Sequence, residues 1–269
     1  MTADWQILLT NDDGIQSPGL WAAAEALDEL GWVTVIAPRE QASGTSRSMP
    51  STSDGEIREE KVEVNGKLWT VHAVGGTPAQ AVLHGILDIL PRRPDLVVSG
   101  INYGLNVGSG VTVSGTVGAA LEGGSFGIPS LAVSLEVDRE DHFSHSREID
   151  FQTSGYFTKY FARQLLGQQL PPDVHVLKIE IPAGASSKTD WKLSSLSPLR
   201  FYIPISSKDN TRQGSRGIGY DIAPDWDQSP PDTDTYTVLN EKKVAVTPLS
   251  LDLTSRIDLE KLQESLRRE

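Results

Sequence analysis

An α/β architecture, with a doubly wound and mostly parallel sheet and helices on both faces, follows from three features of the sequence. Short apolar or β-branched runs alternate with amphipathic segments of helical spacing along most of the chain. The run Asp95-Leu96-Val97-Val98-Ser99-Gly100 is apolar on both faces, as strands buried in parallel sheets are. Polar turns rich in Asn, Asp, Ser and Gly follow the strands, where open α/β sheets hold their ligands. The 269 residues are expected to form a single domain, with a core over about residues 1–182 and a β-rich and helical C-terminal extension over about residues 183–269.

The elements follow in order. Ile7–Thr10 reads as a strand closed by Asn11-Asp12-Asp13-Gly14. Ser17 before Pro18 is an N-cap with proline at the first helical position, Leu20, Ala24, Leu27 and Leu30 form the apolar stripe, and Gly31 is expected as a left-handed stop. Val33–Ala37, closed by Pro38, is the second parallel strand of a βαβ unit. Residues 53–74 alternate charged and β-branched residues around Asn65-Gly66, which predicts an edge hairpin, with the charges of Glu56–Lys61 on its solvated face. Thr77-Pro78-Ala79-Gln80 is a capping box opening a helix that Pro91 stops. After the strand at Asp95–Gly100 come a small-residue helix near Thr116–Glu122 and a strand at Ser130–Ser134. A helix over about Phe151–Leu166 carries Tyr156, Tyr160 and Phe161, expected in the core, and a strand follows at His175–Ile181. Beyond Ala183 the pattern weakens until a strand at Lys243–Thr247 and a charged helix after Ser255.

Composition removes several classes of function. With no cysteine, the chain can form no disulfide framework, thiolate nucleophile or cysteine-ligated zinc or iron–sulfur site, so a metal must be bound by oxygen or histidine. A net charge of −12, from 24 basic and 36 acidic residues, argues against a nucleic-acid duplex as partner. The charge-free stretch Leu96–Leu121 spans 26 positions but holds six glycines and several polar residues, which excludes a membrane span. Met1–Trp5 shows no basic and apolar leader, so cytoplasmic residence is expected.

Three strand-end loops carry groups suited to chemistry: Asn11-Asp12-Asp13-Gly14, Ser43-Gly44, and Asn102 with the glycine-rich segment after it. Adjacent carboxylates raise each other's pKa unless a cation compensates, and no basic residue lies in the Asp12-Asp13 loop, so a divalent ion is the natural compensator. Oxygen donors favour Mg²⁺, Mn²⁺ or Ca²⁺. In isolation Asp12-Asp13-Gly14 would read as a turn, and only its place after a strand points further. Ser114-Gly115-Thr116 lies just before a helix, where free N–H groups and the positive dipole end attract phosphate. Gly108-Ser109-Gly110 lacks the third glycine of a dinucleotide loop, and no P-loop lysine or HExxH occurs. His142 and His145 lie in a charged loop, where surface exposure is expected and no role is assigned.

Together, Ile7–Ile15 with Ser17-Pro18-Gly19, and Ser99–Asn102 through Asn106-Val107-Gly108 to Ser114–Ala120, closely resemble the SurE (survival protein E) family of metal-dependent 5′/3′-nucleotidases. Ala37-Pro38 with Ser43-Gly44, Gly76–Ala79, Gly127–Ser130 and Thr247–Asp252 add to the resemblance. It implies a Rossmann-like core and one divalent ion per subunit, Mg²⁺ or Mn²⁺, with Ca²⁺ as another occupant. The implied activity is hydrolysis of nucleoside 5′- and 3′-monophosphates, with short-chain polyphosphate as a further substrate. Carried onto this chain, the metal ligands are Asp12, Asp13, Ser43 and Asn102, with Asp12, Asp13 and Asn102 as the catalytic set. Asn11, Asn106, Ser114, Gly115 and Thr116 are expected to hold phosphate, and Arg39 to add positive potential. The resemblance also implies a homodimer or homotetramer built partly through the C-terminal arm. The chain departs from the family at Ser109-Gly110 and Val113, at Gln80, and at Lys178 and Glu180, where asparagines are usual; residues 201–236 match weakly. The alternative reading is a nucleotide-binding module without turnover.

Overall fold

A computed structural model describes residues 4–206 and 218–267. The amino-terminal residues 1–3, residues 207–217 of the weakly patterned stretch, and residues 268–269 lie outside that description. The strands are β1 (Gln6–Thr10), β2 (Trp32–Pro38), β3 (Ile57–Val64), β4 (Lys67–Val74), β5 (Leu96–Tyr103), β6 (Ser130–Leu135), β7 (Val176–Ile181), β8 (Trp191–Leu193), β9 (Tyr202–Ile205), β10 (Gly219–Ile222) and β11 (Val244–Leu249). The helices are α1 (Pro18–Asp28), α2 (Pro78–His84), α3 (Gly115–Ser125), α4 (Gln152–Gly167), α5 (Asp234–Leu239) and α6 (Leu259–Leu266).

The main sheet runs β3-β4-β2-β1-β5-β6-β7-β11-β8. From β4 to β7 neighbouring strands are parallel, while β3 pairs antiparallel to β4 and β11 antiparallel to β7. The chain winds outward from β1 through β2 to β4, then returns to the other side of β1 to build β5, β6 and β7. The order therefore reverses between β1 and β5, and a crevice opens beyond the carboxyl ends of these two strands. Alternation along β1 feeds both layers. Ile7 and Leu9 join the large core under α1 and α4, with Leu20, Leu27, Phe157 and Phe161. Leu8 faces the opposite core with Ala81 and Val82 of α2 and Ala119 of α3.

Several local expectations take a different form. Ser17 stands at the N-cap of α1, but its buried hydroxyl makes no capping hydrogen bond. The helix ends at Asp28, and Gly31 serves close approach instead of a left-handed stop, since a Cβ there would collide with the Trp5 carbonyl oxygen. The capping box at Thr77 forms with both reciprocal hydrogen bonds, but the helix widens into a π turn over Gly85–Ile89 before Pro91. Of the expected aromatic stripe on α4, Phe161 is buried whereas Tyr156 is 42% exposed; Phe157 and Leu165 complete the core face. Past residue 182 the chain re-enters the sheet, because β11 lies between β7 and β8. The remainder of that region is a small β9–β10 ribbon, α5, and a terminal segment ending in α6, which buries no residue. Among the described residues no helix is long and apolar enough to cross a membrane.

Candidate functional site

The crevice at the β1/β5 reversal holds the Asp12-Asp13 pair. Asp12 is 4% and Asp13 1% exposed. Thr116 Oγ1 donates to Asp12 Oδ1 at 2.5 Å, and the Asp12 carbonyl accepts from Ala42 N at 2.7 Å, which pins the β1 loop to the loop that carries Ser43. Gln41 Nε2 donates at 3.0 Å to Asp13 Oδ1, and Tyr103 N reaches Asp13 Oδ2 at 3.4 Å. Burial raises the pKa of Asp12, only partly opposed by hydrogen bonds from Thr116 and Gly115. Burial, then the Asp12 charge, pushes Asp13 well above the usual carboxylate range. Among the described residues no ammonium or guanidinium group pairs with either carboxylate.

A cavity of about 300 Å³ opens beside Asp12. Ser43, Asn102, Asn106 and Ser114 line it with Asp12, so five of the residues singled out from the sequence share one wall. Asn102 lies near the end of β5, just after an irregularity in the β5–β6 register between Ser99 and Asn102. Its Nδ2 donates to the Gly104 carbonyl at 2.7 Å, so the amide oxygen is the atom able to serve a ligand. Asn106 is held through its backbone N–H by Glu180 Oε2 at 2.8 Å and through Nδ2 by Ser134 Oγ at 3.0 Å. Ser114 caps α3 by accepting from Val117 N. Gly115 packs against Asp12 so closely that a Cβ would lie 2.7 Å from the Asp12 side chain, and this contact brings the helix N-terminus up to the carboxylate.

Not every singled-out residue meets the cavity. Asp13, Gly115 and Thr116 lie outside its lining. Asn11 is turned onto its own loop, donating to the Gly14 carbonyl at 3.1 Å and accepting from Gly14 N at 3.2 Å. Arg39 is ion-paired with Asp54 and with Glu56, the latter at 2.9 Å, which neutralises the positive potential expected of it.

The sequence reading of His142 needs correction. It is 8% exposed, not a surface residue, and lines the cavity with Phe143, Tyr202, Tyr220 and Arg200. The local signal was misleading, because its neighbours Arg139, Glu140 and Asp141 are charged while the ring turns inward onto Gly104. Gly104 has φ +99°, and a Cβ there would strike the His142 ring. Gln41, also overlooked, joins the two halves of the site: the amide that holds Asp13 also donates to the His142 carbonyl at 3.0 Å.

The donor set fits a hard cation. Asp12 and Asp13 supply charge, and Ser43 and Asn102 supply neutral oxygens from separate loops, a combination suited to Mg²⁺, Mn²⁺ or Ca²⁺. Among the described residues there is no cluster of three or more His, Cys, Asp or Glu able to hold a metal.

The chain is similar to known proteins. The model of the family described as survival protein SurE matches residues 7–201. The 5′-nucleotidase SurE of Thermococcus gammatolerans is 39% identical over 262 residues, covering 97% of this chain and 96% of that protein. The 5′-nucleotidase SurE of Methanosarcina acetivorans is 37% identical over 267 residues, covering 97% of each. The crystal structure of the SurE protein from Aquifex aeolicus superposes with a TM-score of 0.70 at 32% identity, covering 97% of this chain and 98% of that one.

Proposed function

Because the chain belongs to the survival protein SurE family, we propose that it is a divalent-metal-dependent phosphomonoesterase acting on nucleoside 5′- and 3′-monophosphates, with short-chain polyphosphate as a further substrate. The observation that carries this reading is a buried aspartate pair that has no cationic side chain as partner among the described residues and stands beside a helix N-terminus, with Asp12 on a cavity lined with oxygen-bearing side chains. Asp12, Asp13, Ser43 and Asn102 would hold one Mg²⁺ or Mn²⁺ per subunit, with Ca²⁺ as another occupant. Such an ion, when bound, polarises a phosphoryl oxygen and lowers the pKa of water.

The remaining steps belong to the chain. Phosphoryl transfer asks mainly for positioning and electrostatic stabilisation. The Ser114 hydroxyl at the N-cap of α3 offers a donor to phosphate oxygens, and Asn106 offers an anchored amide on the same cavity. Thr116 fixes the Asp12 carboxylate while Gln41 fixes Asp13. Asn11 contributes by shaping the loop that presents both aspartates.

The C-terminal region supports assembly into a homodimer or homotetramer. Leu253 is 91%, Leu259 58% and Leu266 77% exposed, so one copy of the chain leaves this apolar side uncovered. We place the subunit contacts within the 183–269 extension of a single-domain protein residing in the cytoplasm.

The test is phosphate release from AMP or GMP with Mg²⁺ or Mn²⁺, repeated after EDTA and in Asp12→Ala. Either treatment is expected to lower the rate at least about a hundred-fold. Activity that survives both would overturn the reading, and tight AMP binding without hydrolysis across metals and pH would select a binding module instead.

A further inference from the structure

Ser43 differs in its support from the other groups that would hold the ion. Asp12 and Asp13 are buried and Asn102 lies in β5, whereas Ser43 belongs to the connection of residues 39–56 between β2 and β3, in which no residue is buried and no helix or strand forms. Apolar packing therefore does not fix this loop, and polar ties must do so. Before Ser43, Ala42 N donates to the Asp12 carbonyl at 2.7 Å. After it, Ser46 N donates to the Val113 carbonyl at 3.2 Å and Ser46 Oγ to the Thr112 carbonyl at 2.7 Å. Ser46 has φ +53°, a left-handed conformation that a non-glycine residue keeps only where its surroundings impose it. Helix α3 closes on this point, since a Cβ on Gly118 would lie 2.3 Å from the Ser46 carbonyl.

The next tie is ionic. Arg47 Nε donates to Glu122 Oε2 on α3, where the Glu122 side chain is 6% and that of Arg47 39% exposed. A glutamate so deeply buried calls for a charged partner, and the one it has comes from the Ser43 loop. Neither residue lines the cavity, so neither is placed to meet phosphate. Helix α3 thus touches the donor set twice. Its first turn holds Asp12 through the Thr116 hydroxyl and the close Gly115 contact, and six residues beyond Thr116 the same helix holds the loop of Ser43.

We propose that Arg47 and Glu122 are positioning residues of the metal centre: their ion pair locks the Ser43 loop to α3, so that Ser43 stands ready on the cavity it shares with Asp12 and Asn102. The proposal rests on the reading of these residues as metal ligands. Oxygens already in place bind a hard cation more tightly than a loop that must be ordered on binding, and partners that stand behind the ligands contribute about 10–100-fold in metal affinity.

The test is Mn²⁺ titrated by calorimetry into the metal-free full chain, with binding at this centre identified by its loss in Asp12→Ala. Arg47→Met and Glu122→Gln are each expected to raise Kd about ten-fold. The double variant, which buries no unpaired carboxylate, should also weaken binding only about ten-fold, because either change opens the same lock. Arg47→Lys, which keeps the cation, should stay closer to the wild type. Amide exchange in the metal-free proteins separates a lock from general support: in Arg47→Met the Ser46 amide should exchange faster while the amides of β1 and β5 keep their wild-type rates. An unchanged Kd in both single variants, a double variant weakened about a hundred-fold as two independent contributions would be, or a rise in exchange at Ser46 no greater than that across the sheet would overturn the proposal. Failure of the nucleotidase reading has a different signature: AMP releases no phosphate although Mn²⁺ binds, and the Kd comparison still decides the lock. A wild type that binds no Mn²⁺, or binds it no better than Asp12→Ala does, rejects the metal centre and the lock together.

Discussion

Among the described residues two pairs of carboxylates are buried, and the chain treats them in opposite ways. Glu180 on β7 and Asp234 at the start of α5 share their surroundings with Lys178, whose ammonium lies 3.3 Å from Glu180 and 3.0 Å from Asp234; all three side chains are fully buried. Asp12 and Asp13 have no such partner among the described residues. The directions of the pKa shifts reflect the difference. Burial opposes the charge on Lys178, but its two carboxylates more than offset this and hold it above the usual lysine value. Burial also opposes the charge on Asp234, which is nevertheless held low by Lys178 and by the backbone N–H groups of Ser197 and Gly108. At Asp12 and Asp13 burial prevails. At the Lys178 cluster the chain carries its own cation, and at the proposed site that charge is left to an ion from solution.

The two clusters also divide the work on one loop. Glu180 accepts from Asn106 N at 2.8 Å and Asp234 from Gly108 N at 3.0 Å, so the neutralised cluster clamps the segment that carries Asn106 into the cavity. The largest expected effect comes from breaking this clamp. Lys178→Met leaves two buried carboxylates uncompensated and is expected to cost about 3–5 kcal/mol of unfolding free energy, measured by urea denaturation. Adding Glu180→Gln should recover part of the loss. Added Mn²⁺ should not restore the single variant to wild-type stability, because Lys178 lies outside the cavity lining and is fully buried. Full rescue by the ion would erase the distinction between the clusters.

The aspartate pair should behave in the converse way. A ligand that binds only the folded state stabilises it by about 2.7 kcal/mol at a hundred times its Kd. Mn²⁺ or Mg²⁺ is therefore expected to raise the melting temperature of the wild type and to lose that effect in Asp12→Ala and Asp13→Ala. An equal rise in all three proteins would place the ion elsewhere. A smaller effect is expected from Thr116→Val, which keeps shape and removes the hydroxyl that donates to Asp12. A charge-assisted hydrogen bond of this kind corresponds to about ten-fold in kcat/KM, measured by phosphate release at saturating metal.

How far the sequence discloses these clusters depends on how local the signal is. The Asn65-Gly66 hairpin, the capping box at Thr77 and the strand-ending Asn11–Gly14 loop all stand where their residues indicate, because turn conformation and capping are decided within a few positions. Lys178 and Glu180 alternate with apolar residues in a strand, a pattern that elsewhere marks a solvated face, and the partner that permits their burial lies 56 residues beyond Lys178. The contact of His142 with Tyr220 is hidden for the same reason: the two are 78 positions apart, and the latter lies in a stretch without clear periodicity. Gly31 is a glycine because of Trp5, which no helix-stop rule consults.

The smallest expected effect tests the neutralised cluster from within, in metal-free protein, where Asp12 and Asp13 are common to every variant and cancel in the differences. Asp234 is held below the ordinary carboxylate value, so its contribution is fully present above about pH 4 and fades as pH falls through its folded-state pKa. Glu180 is shifted upward, burial outweighing Lys178, so it favours the folded state only while protonated and costs stability as pH rises past its ordinary value. Two acids sharing one ammonium should therefore give opposite pH slopes. Urea unfolding from pH 3 to pH 7 is expected to show Asp234→Asn converging on the wild type toward acid, while Glu180→Gln gains relative to the wild type as pH rises. Parallel slopes in the two variants would mean that Lys178 serves both carboxylates alike, and the asymmetry that makes Asp234 the tighter partner would fall.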